Sequence, residues 1–253
     1  MKKRPRHKRR LTVIILLSLA NTFCATIDRG RSKSSISAAA EYGMAGNRSY
    51  GCGGEVLSEQ RHHQIGGKVT YRYEDQHGLI AQADAGALFG SLANHFGFEP
   101  TRRDYFMGSI GGLIGYDLNY LGVDLGAGVL FDDRGRVLAV PRFNLRLGSL
   151  KNAWFETGIG PLDAPFDGRL LYGGIGLRGD IFRLNFGAAF IGRPLVNLDC
   201  GYDEITMGEL TDNGLDLGGY ATLTLMLGHG IGLDLGAIAA ENFSGRLGLR
   251  MEF

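Results

Sequence analysis

The sequence predicts an all-β fold: a closed, antiparallel, up-and-down barrel of about twelve strands that crosses a membrane. Three observations predict it. Apolar and polar residues alternate with a period of two in about twelve stretches, most of them roughly 9–13 residues long, enough for a tilted strand to cross a bilayer. The connections alternate between tight, turn-rich ones and longer polar ones. Charge sits on one parity of each stretch and is almost missing from the other. In hydrocarbon no water can satisfy the N–H and C=O groups of an open edge, so such a sheet must close.

The first expected strand, 36–45, turns Ala38, Ala40, Tyr42 and Met44 outward and Glu41 inward. A small and polar loop, 46–63, carries Cys52. Strand 64–74 sets Ile65, Val69, Tyr71 and Tyr73 against Lys68, Thr70, Arg72 and Glu74, and 75–78 is a turn. Strand 79–90 faces Ala81, Ala83, Ala85, Ala87 and Phe89 outward and Gln82 and Asp84 inward. A long connection, 91–104, leads to strand 105–118, whose apolar face holds Phe106, Ile110, Ile114 and Tyr116. Only Asn119 and Tyr120 separate it from strand 121–131, as a tight hairpin requires. There Leu121, Val123, Leu125, Ala127, Val129 and Phe131 alternate with Gly122, Asp124, Gly126 and Gly128.

After a charged loop, 132–136, strand 137–148 places Arg142, Asn144 and Arg146 opposite Phe143, Leu145 and Leu147. Pro141 removes a ladder donor there and is expected to mark a bulge. Strand 153–160 is short, with Trp154 and Glu156 inward. Strands 169–179 and 183–192 point Arg178, Arg183 and Asn185 inward. The acidic connection 193–213 carries Cys200. Strands 214–227, 231–238 and 244–253 complete the set, with Asp216, Asp234, Arg246, Arg250 and Glu252 on the inward parity. Aromatics gather at strand ends: Tyr73, Tyr116, Tyr120, Phe182 and Phe253 at one end, and Phe89, Tyr105, Phe131, Phe190 and Phe243 at the other. This is the pattern of two interfacial girdles.

Composition agrees. Gly is 41 of 253 residues while Pro is only 6, which argues against a disordered Pro/Gly-rich chain. Mean hydropathy is near zero, as expected when apolar content is hidden by alternation. The net charge of +1 hides an asymmetry. Lys2, Lys3, Arg4, Arg6, Lys8, Arg9 and Arg10 crowd the start; without them 20 basic residues face 26 acidic ones, a balance of about −6. That basic head, followed by the apolar run 11–20, reads as an export signal over 1–25. It is not a nucleic-acid site, and no nucleic-acid partner is expected. Cys24 follows Phe23 where a lipoprotein signal needs a small residue. Residues 26–35 are a polar periplasmic lead-in, and 36–253 the barrel. A soluble β-sandwich would alternate as well. The leader, the scarcity of Pro and hairpins without crossovers argue against it.

The last ten residues read S-G-R-L-G-L-R-M-E-F, with Leu247, Leu249, Met251 and Phe253 on one face. This tail resembles the terminal strand of Gram-negative outer-membrane β-barrels as a class. The resemblance implies an outer-membrane location, contact with membrane lipid and lipopolysaccharide, and recognition of those four residues by the assembly machinery.

The residues expected to line the lumen are Lys68, Arg72, Asp84, Asp124, Arg142, Asn144, Arg146, Arg178, Asp216, Asp234, Arg246 and Arg250. Mixed signs on a closed wall fit two readings. One is a passive channel for small polar solutes with a transverse field. The other is a salt-bridged, non-conducting barrel that serves as a structural element or binds a partner through its loops. Were Arg142, Arg146, Arg246 and Arg250 to face one another, anions would be favoured. A third reading is an outer-membrane lipid hydrolase, with a Ser nucleophile and a His base. His62, His63, His77, His95 and His229 form no His-x-Ser-Asn cluster, so no catalytic residue is assigned. The His62-His63 pair lacks Cys or carboxylate at ligand spacing, and no metal is expected. Gly-x-Gly runs lie within strands and open no helix, so no nucleotide cofactor is expected. Cys52 and Cys200 both fall in outer loops, where a disulfide would pin two loops over the mouth. Two free thiols are the alternative.

Overall fold

The computed structural model describes residues 32–50, 56–96, 99–160, 169–191, 194–196, 205–207, 216–240 and 243–253. The expected leader 1–25, Cys52 and Cys200 lie outside the described residues, and the disulfide with them. The strands are β1 (Lys33–Tyr50), β2 (Val56–Glu74), β3 (Leu79–Phe96), β4 (Glu99–Asp117), β5 (Leu121–Asp132), β6 (Val137–Ser149), β7 (Ala153–Ile159), β8 (Arg169–Arg178), β9 (Phe182–Ile191), β10 (Pro194–Val196), β11 (Ile205–Met207), β12 (Asp216–Gly228), β13 (Ile231–Ala239) and β14 (Phe243–Glu252). Twelve of them form one closed barrel in which every neighbour is antiparallel; β10 and β11 pair separately as a small hairpin. β1 closes on β14, from Ser35 opposite Glu252 to Met44 opposite Phe243. Lys33 also pairs with Glu74, so the barrel starts three residues earlier than 36.

The outward parity is apolar all the way round. Ile65, Phe89, Ile114, Leu125, Leu217, Leu247, Leu249 and Met251 are each more than half exposed. Across 65–73, 79–89, 106–116, 121–131, 217–227 and 243–253 no charged residue occupies that parity. A wall of exposed Leu, Ile and Phe on this scale is a solvent mismatch in water and a match in lipid. The chain is therefore built as a transmembrane β-barrel. Most of the expected girdle aromatics face outward, and Phe89 and Phe106 pack with ring centroids 5.0 Å apart. Tyr105 is the exception. It points into the lumen, buried, where its hydroxyl oxygen accepts a hydrogen bond from Gln64 Nε2 at 2.7 Å.

Two expected loops are strands. β1 and β2 stay paired out to Tyr50 opposite Val56, and β3 and β4 out to Phe96 opposite Glu99. The residues expected as connections 46–63 and 91–104 therefore largely extend hairpins. Their neighbours stop sooner: β14 leaves β1 at Met44, and β5 leaves β4 at Met107. A four-stranded sheet thus stands beyond the rim, by roughly 20 Å along β1 at about 3.4 Å per residue. The sequence of these extensions shows no sustained apolar period to read.

Pro141 marks no bulge, since the β5–β6 register runs through it unbroken. Gly148 N–H points to Tyr120 on the β5 side, so odd positions of β6 aim at β7. The β6–β7 ladder has already ended at Phe143, and the missing Pro N–H faces no partner strand.

The turns 75–78, 118–120, 150–152, 179–181 and 229–230 gather at the end that holds the termini, the short-turn end. In one of them the Asp75 carboxylate accepts from the backbone N–H of His77 and of Leu79, both at 2.8 Å, and Gly78 adopts φ 104°. Desolvation pushes the Asp75 pKa up, but the hydrogen bonds from Leu79, His77 and Gly78 together outweigh it and hold the carboxyl below its ordinary value. A depressed folded pKa stabilises above the unfolded value of about 3.9 and ceases to as pH falls through the folded pKa. Asp75→Ala should lower the urea midpoint at pH 7 and make its decline below about pH 4 shallower. Parallel acid titration curves for the two proteins would contradict this.

Candidate functional site: the barrel lumen

Alternation sends every second side chain of the barrel strands inward, and these side chains fill much of the lumen. Arg142 from β6 reaches Asp84 on β3, with Nη2 donating to Oδ1 at 2.9 Å and Nη1 to Oδ2. Both side chains are shut off from solvent, at 1% and 0% exposure. Glycines make the room. A Cβ on Gly111 or Gly128 would come within 2.5 or 2.8 Å of Arg142 Nη2. Gly176 likewise leaves space for the Trp154 ring, Gly158 for Tyr172 and Gly174 for Tyr220.

Beside this pair, Arg146 binds Asp124 at 2.7 Å and Asp117 at 3.0 Å, and Asn144 Nδ2 donates to Asp124 at 3.3 Å. Glu156 accepts from Trp154 Nε1 at 3.2 Å and from the Tyr220 hydroxyl at 2.9 Å. Asp234 accepts from Thr224 Oγ1 at 2.6 Å and pairs with Arg250 at 3.2 Å. Arg72 pairs with Glu74 at 2.8 Å and donates to Gln82 at 3.2 Å. Away from the short turns the inward parity becomes apolar. Leu88, Tyr105, Met107, Leu130 and Val140 pack as one buried cluster on one wall. Tyr172, Ala189, Tyr220 and Ile238 pack as another, with the Tyr172 and Tyr220 rings edge to face at 5.8 Å.

Among the described residues a polar cavity of about 90 Å³ stays open. Lys68, Arg72, Asp124, Asn144, Arg146, Asp234, Arg246 and Arg250 line it, as the parity reading expects. Arg183, Glu156 and several hydroxyl residues complete its wall. Asp84 and Arg142 lie in the lumen but are locked to each other. Arg178 is a correction: it ends β8 opposite Arg183 at the short-turn rim and is exposed, because its parity is inward but its height is beyond the closed wall. Asp216 starts β12 opposite Ile191 at the other rim; its side chain lies outside the description. The four arginines whose facing would favour anions are placed differently from one another. β6 and β14 lie on opposite sides of the ring, and Arg146, Arg246 and Arg250 border one cavity, while Arg142 is neutralised by Asp84. The sequence reading passed over Asp117, which anchors Arg146, and the inward glycines that seat large side chains. Among the described residues no cluster of His, Cys, Asp and Glu is placed to hold a metal.

No protein-family model and no curated protein matches the chain. Similar solved structures include the translocator domain of autotransporter NalP from Neisseria meningitidis, at 12% identity and TM-score 0.38, covering 97% of this chain and 95% of that one. The outer membrane protease OmpT from Escherichia coli matches at 12% identity and TM-score 0.37, covering 88% and 97%. CdiB from Acinetobacter baumannii matches at 9% identity and TM-score 0.33 over 88% of this chain, which spans only 60% of CdiB.

Proposed function

We propose that this chain is an outer-membrane barrel of Gram-negative type whose lumen is closed by its own side chains, and that it acts as a structural or surface-binding element. The observation that carries this reading is the buried Asp84–Arg142 pair, flanked by the inward Leu88–Met107–Leu130 cluster. Ion pairs at 1% and 0% exposure need a dry or nearly dry setting, which an open pore does not provide. The free space of about 90 Å³ suits a few ordered waters rather than a solute stream. On this reading the protruding β1–β4 sheet is the part offered to a partner. Lipid and lipopolysaccharide cover the apolar belt. Leu247, Leu249, Met251 and Phe253, all more than half exposed on one face of β14 and its end, form the strand that the assembly machinery recognises.

The test is conductance of the mature, refolded protein in planar bilayers. No discrete current steps are expected at neutral pH. Reproducible steps from correctly folded protein would replace this reading with the second one, a passive route for small polar solutes. The polar lining of the cavity is the observation that favours that second reading.

A further inference from the structure

The cavity is bordered by two guanidinium groups, those of Arg183 and Arg246, that make no ion pair with a described residue. Arg183 on β9 lies by the Trp154 ring, with Cζ 5.2 Å from its centroid, and makes no ion pair with a described residue. Its Nε is buried without an acceptor. Arg246 on β14 borders the same space, with Glu41 across from it in register, and it too makes no ion pair with a described residue. Three carboxylates of the cavity wall have partners other than these two arginines: Asp124 has Arg146 and Asn144 on Oδ2, Glu156 has Trp154 and Tyr220, and Asp234 has Thr224 and Arg250.

Leaving a buried guanidinium without an anion is costly, and polar lumens are built to avoid it. Next to Arg183, Asn185 and Thr222 face each other across β9 and β12 and line the cavity, adding amide and hydroxyl donors. A guanidinium fork matches paired oxygens of one acid group. The free volume of about 90 Å³ admits a small ion. We propose that this cavity is a binding site for a small oxyanion of the phosphate or carboxylate class, held by Arg183 and Arg246 with Asn185 and Thr222. Entry is from the short-turn end, past Arg250, whose side chain is 26% exposed where that of Arg146 is 4%. The site does not depend on whether the barrel conducts.

Calorimetric titration of the mature protein in detergent micelles tests it, with inorganic phosphate in one arm and acetate in another. Ionic strength is held constant with chloride throughout. Saturable binding of at least one of the two oxyanions is expected, and the arm that saturates identifies the source. Arg183→Gln and Arg246→Gln should each weaken binding by about tenfold or more, as loss of a charge-assisted hydrogen bond would. The bound oxyanion should also raise the urea midpoint of the native protein and leave that of Arg183→Gln unmoved. No saturable heat in either arm, or undiminished binding in both variants, would overturn the proposal. If one variant fails to assemble, the other and the native titration still decide.

Discussion

Arg142→Met is expected to destabilise the barrel by about 3–5 kcal/mol, because it leaves Asp84 buried without its counter-charge. The pair sits in the β3–β6 wall, seated against Gly111 and Gly128, with both side chains sealed from solvent. Methionine restores some of the lost volume but none of the charge. Water reaches the site poorly, so the Asp84 carboxylate is left without solvation or counter-charge. Adding Asp84→Ala should return part of the loss, since no orphan charge then remains, even though the second substitution removes more atoms. The measurement is reversible urea unfolding of single and double variants in one lipid or detergent system. A loss below about 1 kcal/mol for Arg142→Met is what a solvent-exposed pair would give. That result would reopen the lumen and the channel reading with it.

How much of this was legible beforehand follows from what periodicity carries. Parity alone placed Asp124, Arg146, Asp234 and Arg250 inward, because a one-residue slip would have put them into lipid. Parity could not say that Arg142 belongs to Asp84, which is 58 positions earlier, since that depends on which strands meet and at what stagger. The inward glycines were visible as letters, but their purpose was not. Gly111, Gly128 and Gly176 make sense only once the bulky neighbour across the strand is known. Tyr105 was misplaced in a girdle because aromatic content near a strand end was read without checking its parity against Met107, which is also inward. The hairpin extensions were missed for the opposite reason. Their register is inherited from the strands below and not signalled by their own composition.

Leu125→Arg should cost about 2–4 kcal/mol in a bilayer, the price of a charge near the midplane of a barrel wall. Leu125 is 60% exposed on β5, between Ile114 on one side and Phe143 on the other, and lies well inside both rims. Val137→Arg, at the rim where β6 begins, is a matched control: that site is 65% exposed yet should lose only about 0–1 kcal/mol. Exposure is thus nearly equal at the two sites, and depth is the variable that separates them. In a water-soluble barrel both substitutions would replace an exposed apolar side chain by a solvated one, and each would stay within about 0.5 kcal/mol of neutral. Urea unfolding from phospholipid vesicles reads the difference directly. A cost at Leu125 that exceeds the cost at Val137 by more than about 1 kcal/mol is the signature of hydrocarbon on that face. Equal, small costs at both would mean that the belt faces water, and the closed sheet would then need some other reason to carry so much apolar surface on its outside.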